Sequence, residues 1–244
     1  MMPPVLSCSG LCKSFEQSLI PFGHLQDRLL RHPLRRRRIR IDAVSDATLS
    51  VREGEWVGLY GQNGCGKTTL LRMLGGLLAP DAGVVACRGN VSCFDIGAGF
   101  HQERSGAENV YLHGLLHGLS GSTLARFSER IFTEAGLETH RHLPFKCYST
   151  GMQLRLGFAV ASSIEADVYL FDEMLAVGDA DFRDACWRRL EAMKKAGKTA
   201  VLVSHGIADL ERICDRILFM QAGRLTQEQM RAGSTRRLVQ TPVA

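Results

Sequence analysis

Residues 61–69, Gly-Gln-Asn-Gly-Cys-Gly-Lys-Thr-Thr, fit the pattern G-x-x-x-x-G-K-[ST] and stand directly behind a strand-like apolar run, Val57-Gly58-Leu59-Tyr60. A strand feeding such a turn is the context in which the pattern cradles phosphate, which ties the chain to an α/β architecture. Glycines at 61, 64 and 66 let the backbone turn tightly enough for its N–H groups to surround an anion. Lys67 would reach the β- and γ-phosphates of a nucleoside triphosphate, and Thr68 would set its hydroxyl on a magnesium ion. The helix expected over Thr68–Leu78 points its positive end at the same oxygens. Gly61, Gln62, Asn63, Gly64, Cys65, Gly66, Lys67, Thr68 and Thr69 are thus the candidate nucleotide-binding residues.

Such a loop says only that a nucleotide binds. The reaction chemistry comes from Val168-Tyr169-Leu170-Phe171-Asp172-Glu173, an apolar run closing on two carboxylates. The run suits a buried parallel strand. Ligands of open α/β sheets bind beyond the carboxyl ends of their strands, where this one delivers its acids. Asp172 would hold magnesium, directly or through water, and Glu173 would polarise the water that attacks the γ-phosphate. Alone, the same residues also read as a strand followed by an acidic helix cap; beside the phosphate loop they read as the hydrolytic pair.

Between the two lies Tyr148-Ser149-Thr150-Gly151-Met152-Gln153-Leu154-Arg155, which resembles the L-S-G-G-Q signature of the ATP-binding-cassette ATPases. Ser149 and Gly151 match it, whereas Tyr148, Thr150 and Met152 depart. A small polar loop ahead of a helix over Met152–Ser163 offers phosphate a hydroxyl, backbone N–H groups and a helix N-terminus. By itself, Ser149 would equally serve as an ordinary N-cap. Further matches follow in order: Ala176-Val177-Gly178-Asp179 resembles the D-loop of that family, and Val201-Leu202-Val203-Ser204-His205 its strand with the switch histidine. The likeness runs from a first strand near Val5-Leu6 to a terminal strand Arg216–Gln221 and an Ala222-Gly223-Arg224 turn.

The resemblance implies a P-loop NTPase of α/β class, with a RecA-like core, an antiparallel β subdomain and a helical subdomain over residues 107–165. One such ATP-binding domain would occupy residues 1–244. It also implies ATP and Mg2+ as cofactors, and a homodimer in which Ser149-Thr150-Gly151 of one copy closes on the ATP of the other. His205 would contact the γ-phosphate, and Asp179 would join the nucleotide-binding residues.

Departures from the shared pattern narrow the substrate. Asp95-Ile96-Gly97-Ala98-Gly99-Phe100 and the following Ser105-Gly106-Ala107-Glu108-Asn109 lie where most cassettes carry a glutamine loop. The G-A-G-F and S-G-x-E-N sequences, the Y-S-[ST]-G-M signature and the D-E-x-L-A-V-G-D run at Asp172–Asp179 resemble the ATPases of ABC-2 type polysaccharide exporters, which serve capsule, O-antigen or teichoic acid. That implies a separate ABC-2 type permease as partner and a peripheral place on the cytoplasmic face of the bacterial inner membrane. Gln102 is the candidate magnesium-contacting glutamine, with His101 competing for the position. Some O-antigen exporter ATPases continue into a carbohydrate-binding β-sandwich, and no such domain is expected behind Arg216–Gln221.

Near the N-terminus, Leu11-Cys12-Lys13-Ser14-Phe15 resembles the cassette segment whose terminal aromatic stacks on adenine. Phe15 could supply that stack, or could be a core residue ending a strand. An insert over residues 16–41 then separates it from the next expected strand. Arg28, Arg31, Arg35, Arg36, Arg37, Arg38 and Arg40 against the single acid Asp27 give residues 17–41 a charge of +6, more than the +5 of the whole chain. The basic balance therefore belongs to this segment and is no general sign of nucleic-acid affinity, for which no interleaved aromatics or known module speak. The insert reads as a solvated loop or as a contact for anionic lipid or the pyrophosphate of a lipid-linked glycan, to which each Lys or Arg near the surface contributes about 1 kcal/mol. Leu25, Leu29 and Leu30 before Pro33 suit a short interfacial helix.

At 244 residues and 45% hydrophobic content the chain can bury one substantial core with a helical annex. No stretch approaches the ~18 apolar residues of a membrane span. The eight cysteines include no C-x-x-C pair and read as reduced thiols, with Cys65 in the phosphate loop the one expected to expose the ATPase to thiol reagents. Two other classes remain: a transporter ATPase for a lipid, drug or nutrient, and a soluble cassette acting on nucleic acid or ribosomes. The second usually carries paired cassettes or a coiled-coil insertion, and this sequence has neither.

Overall fold

The computed structural model describes residues 3–19, 37–94, 99–172, 180–230 and 235–237. Its centre is β3 (Trp56–Tyr60), whose residues are nearly all buried because both faces of the sheet are covered. Parallel neighbours flank it: β8 (Arg216–Gln221) on one side and β7 (Thr199–Ser204), β6 (Val168–Asp172) and β5 (Val91–Phe94) on the other. Two antiparallel strands, β9 (Arg224–Met230) and β10 (Thr235–Arg237), complete a sheet of order β10-β9-β8-β3-β7-β6-β5. Arg216–Gln221 is therefore not terminal, as the sequence suggested. Ala222 and Gly223 take positive φ of 46° and 79° and fold the chain back into β9, the left-handed pair a tight hairpin requires.

A second, antiparallel sheet has the order β2-β1-β4, from β1 (Leu6–Leu19), β2 (Arg37–Val51) and β4 (Ala82–Cys87). Between the two sheets runs α1 (Lys67–Leu74), whose Leu70, Leu71, Met73 and Leu74 pack with Leu6, Val44, Leu59 and Leu170. This helix is shorter than the expected Thr68–Leu78. Gly75 ends it, Gly76 turns left-handed at φ 70°, and the Leu77 N–H bonds back to the Arg72 carbonyl at 2.9 Å. On the other face of the large sheet, α5 (Ala180–Lys195) and α6 (Ile207–Ile213) cover Trp56, Phe171 and Leu202. Arg216 ties the layers, its guanidinium meeting Glu55 and Glu228 at 2.6 Å each and the Ser50 carbonyl of β2.

The helical part has its own core. Helices α2 (Gly106–Leu116), α3 (Gly121–Ala135) and α4 (Thr150–Ser163) enclose Val110, Phe127, Ile131, Phe132, Phe145 and Leu156. This gives the RecA-like, antiparallel β and helical parts that the motifs imply.

The ends of the basic insert are strand. Glu16 pairs in register with Arg40, Gln17 with Ile39, Ser18 with Arg38 and Leu19 with Arg37, so β1 and β2 continue as a long hairpin. The insert's other arginines, Arg28, Arg31, Arg35 and Arg36, and Leu25, Leu29 and Leu30 lie outside the described residues.

Candidate nucleotide-binding and catalytic site

The register of the parallel strands assembles the site. Tyr60 at the end of β3 is level with Ser204 at the end of β7, and Asp172 at the end of β6 is level with Val203. The phosphate loop after Tyr60, the Asp172 carboxylate and His205 after Ser204 therefore emerge along one carboxyl edge. His205 is exposed and Asp172 half-buried there. Glu173 and Asp179 lie outside the described residues.

Each glycine of the loop has its own reason. Gly64 and Gly66 adopt φ of 78° and 107°, which disfavour a side chain. Gly66 also abuts the Ala43 carbonyl oxygen, and a Cβ at Gly61 would run into the Met220 carbonyl, so both are crowded from neighbouring strands. Lys67 is 4% exposed and donates to the Gly61 and Gln62 carbonyls at 2.8 and 3.1 Å. Its ammonium is thus held at the mouth of the loop by the loop's own backbone. The α1 N-terminus after Gly66 has no side-chain cap, in contrast to α2 and α4, which are capped by Ser105 and Ser149. Leading N–H groups without a side-chain acceptor beside a buried lysine are what a phosphate fits.

Two clefts flank the loop. One of about 340 Å³ is lined by Ile41, Asp42 and Ala43 of β2, by Asn63, Gly64 and Gly66–Thr69, and by Ala222 and Gly223. The other, about 700 Å³, lies between Tyr60–Cys65 and the β8–β9 hairpin. Thr68 on the first cleft, with Asp172 at the strand edge, supplies a hydroxyl and a carboxylate, the hard oxygen donors that magnesium prefers.

Phe15 is 42% exposed, so the core reading of this residue is overturned. It pairs with Ile41, a residue that lines the smaller cleft, and residues directly opposite on antiparallel strands share a face. Cys65 borders the larger cleft but is only 9% exposed and packs in the inter-sheet core, a burial that stands against ready attack by thiol reagents. Gln102 and His101 are both exposed, and their side chains do not separate the two candidates. Ser149 is exposed and caps α4 by accepting from the Met152 N–H at 3.3 Å. The capping and signature readings thus describe one side chain. Neither Ser149 nor Gly151 lines either cleft.

Two residues quoted in the motifs carry structural roles that the motifs do not announce. Asn109, fully buried, accepts from the His101 N–H at 2.7 Å and donates to the His101, Arg104 and Ser105 carbonyls at 3.0, 3.3 and 3.0 Å. It fixes the turn that carries Gln102. Tyr148, 4% exposed, donates its hydroxyl to the His140 carbonyl at 2.8 Å. A readable signal was present beside Asn109: Ser105-x-x-Glu108 is a capping box, and both of its reciprocal bonds form.

Comparison with known proteins agrees with this geometry. Residues 44–176 match the ABC transporter family model. The chain is 36% identical over 98% of its length to an O-antigen export system ATP-binding protein, RfbB of Klebsiella pneumoniae, of which it covers 97%. It is 37% identical to a teichoic acids export ATP-binding protein, TagH of Lactiplantibacillus plantarum, over 77% of this chain and 52% of that one. Among solved structures, the dimeric post-hydrolysis state of the cassette MJ0796 bound to ADP and Pi superposes with a TM-score of 0.76 at 21% identity, over 94% of this chain and all of the other. Motifs, fold and relatives converge: the chain is an ATP-binding-cassette ATPase and belongs to the ABC transporter family.

Proposed function

We propose that this ATPase energises export of a lipid-linked polysaccharide across the cytoplasmic membrane through a separate ABC-2 type permease. The observation that carries the reading is the end-to-end likeness to an O-antigen export ATP-binding protein, which spans the departures at residues 95–109 and 148–152 as well as the shared motifs. Among the described residues no helix is long and apolar enough to cross a membrane, which suits a peripheral subunit on the cytoplasmic face that works through a permease.

In the mechanism this implies, two copies close on two ATP molecules. Gly61–Thr69 cradle the phosphates, with Lys67 exchanging its carbonyl partners for the β- and γ-phosphates. Thr68 and Asp172 would hold Mg2+, which would neutralise phosphate charge when bound, and Gln102, on the turn before the helical part, would be its further ligand. Phe15 stacks on adenine beside Ile41. Ser149 and Gly151 of the second copy, with Asp179, complete each site. Glu173 takes the proton of the attacking water and His205 holds the γ-phosphate. The fixed loop glycines and buried Lys67 contribute by preorganisation, since their dipoles need no rearrangement as charge develops.

The basic insert over residues 16–41 meets anionic lipid or the glycan pyrophosphate. Arg38 pairs with Glu16 and Arg40 with Asp42, each at 2.9 Å, in solvent-exposed bridges. Such surface pairs contribute only about 0–1 kcal/mol, so a phosphate can displace them.

The test is ATPase turnover of the chain co-expressed with its permease in proteoliposomes, with and without undecaprenyl-pyrophosphate-linked glycan. Stimulation by the glycan lipid, lost when the insert arginines are neutralised, supports the reading. Turnover indifferent to the glycan lipid overturns the substrate assignment and leaves a cassette ATPase for other cargo.

A further inference from the structure

Two of the sequence departures touch each other. A Cβ at Gly106, the first residue of α2, would collide with the Tyr148 hydroxyl and come within 2.9 Å of its ring Cζ. Gly106 is helical and needs no left-handed backbone. Its missing side chain is the seat for Tyr148, the residue before the signature serine. Tyr148 is pinned from three sides: its hydroxyl donates to the His140 carbonyl, its ring packs against Phe145 with centroids 5.5 Å apart, and the α2 backbone closes the third.

The chain around this contact is zipped. The Lys146 N–H donates to the Gln102 carbonyl at 3.0 Å and the Phe145 N–H to that of Arg104 at 2.8 Å. In the opposite direction the Gly106 and Ala107 N–H groups donate to the Leu143 and Arg141 carbonyls at 3.1 and 2.8 Å. Lys146 and Glu103 add an ion pair at 2.6 Å. The turn bearing Gln102 and the segment leading into Ser149 thus share one hydrogen-bonded ribbon, and Tyr148 locks its end to α2.

We propose that Tyr148 is a positioning residue which, seated on Gly106, fixes Ser149 relative to the Gln102 turn, so that the face offered to a second copy's nucleotide moves as one unit with that turn. The proposal rests on the reading above in which Ser149 closes on the ATP of a partner copy. A leucine, the residue of the L-S-G-G-Q pattern, carries no hydroxyl to seat, and a glycine opposite it is not required. The two departures are one structural substitution made in two places.

The experiment uses the full chain as Gly106→Ala, Tyr148→Leu and the double variant, with wild type beside them. Three quantities are read: ATP affinity of the monomer, ATP-dependent dimerisation in a Glu173→Gln background, and kcat against KM. Gly106→Ala is expected to bind ATP as wild type does, because the phosphate loop is untouched, but to lose at least tenfold in dimerisation and kcat. Adding Tyr148→Leu should restore at least half of that loss, because removing the phenol frees the space the added methyl takes, while an unchanged melting temperature and ATP affinity in Gly106→Ala separate a positioning defect from a folding one. Tyr148→Phe, which keeps the ring and drops the bond to His140, should lower kcat without altering ATP affinity. Wild-type behaviour of Gly106→Ala, or a double variant worse than either single, overturns the proposal. A wild-type chain that binds ATP yet neither dimerises nor turns over overturns the functional reading and this proposal together, and is distinguished by failing before any variant is made.

Discussion

Asn109 grips both backbone polar groups of His101, its Oδ1 accepting from the His101 N–H at 2.7 Å while its Nδ2 donates to the His101 carbonyl at 3.0 Å. The same amide also serves Arg104 and Ser105, so one fully buried side chain satisfies four backbone groups of the turn around Gln102. Asn109→Ala strands the His101 N–H, while the carbonyls of His101, Arg104 and Ser105 keep the Arg104, Phe145 and Asn109 N–H groups as donors, and an unsatisfied buried polar group costs about 1–3 kcal/mol. We expect a loss of about 2–3 kcal/mol in urea unfolding together with faster hydrogen exchange over residues 101–105. Unchanged exchange in that turn would show that the clasp is not what orders it.

Arg216 is the reverse case, where charge and not a neutral amide closes a buried junction. Its side chain is 12% exposed and meets Glu55 and Glu228, themselves 15% and 18% exposed. Burial alone disfavours the guanidinium, but the two carboxylates outweigh it and raise the pKa of Arg216 above its ordinary value. Removing it leaves two desolvated acids without their cation, which for a buried pair costs about 3–5 kcal/mol. Arg216→Ala should therefore lower the unfolding free energy measured in urea by about 3 kcal/mol, and Arg38→Ala, in an exposed pair, by less than about 1 kcal/mol. Equal effects would refute the distinction.

Stability should fall on mild acidification, because of His113. Burial first, then the neighbouring His117, lower its pKa below the ordinary 6.5; the hydrogen bond with the Gly99 backbone opposes them, and His101 lowers it least. His117 is lowered as well, again by burial. Histidines with depressed folded pKa bind their protons preferentially in the unfolded chain, so their contribution is complete above pH ~6.5 and is lost as pH falls below it. His113 packs its ring, tilted by 37°, against Phe100 with centroids 4.6 Å apart, on the segment leading to Gln102. We expect the melting temperature to hold from pH 8 to about 7 and then decline, and His113→Gln to flatten that decline. A profile identical in the variant would place the acid sensitivity elsewhere.

These cases show where the sequence was legible. The phosphate loop, the acidic end of β6 and the histidine after β7 announce themselves because their chemistry demands fixed residue types at fixed spacing, and the parallel register then brings them to one edge. The end of α1 was misjudged because Leu77 and Leu78 continue an apolar pattern that Gly75 and Gly76 nevertheless break. Asn109 and Tyr148 stand in the quoted motifs, but their roles are not legible there: each bonds backbone groups of a nearby irregular turn, and a buried amide or phenol has no periodicity to reveal its partner. Phe15 stayed ambiguous because a strand-ending aromatic looks alike whether buried or exposed, and only the pairing with Ile41 shows it at the cleft side.

Thiol chemistry offers the sharpest contrast between linear motif and folded surface. Cys65 sits inside the phosphate loop but is buried, whereas Cys147, two residues before Ser149, is exposed. Burial pushes the Cys8 thiol up to about 11 and that of Cys186 to about 12, so neither supplies thiolate at neutral pH. A brief maleimide pulse on the native chain should therefore label Cys147 well ahead of Cys65, read by mass spectrometry of the peptides. Loss of turnover should follow the Cys147 adduct, whose bulk stands at the signature loop, and Cys147→Ser should protect activity while Cys65→Ser should not. Inactivation that tracks Cys65 labelling would mean that the phosphate loop opens to solvent faster than its packing against Met220 and Gly61 suggests.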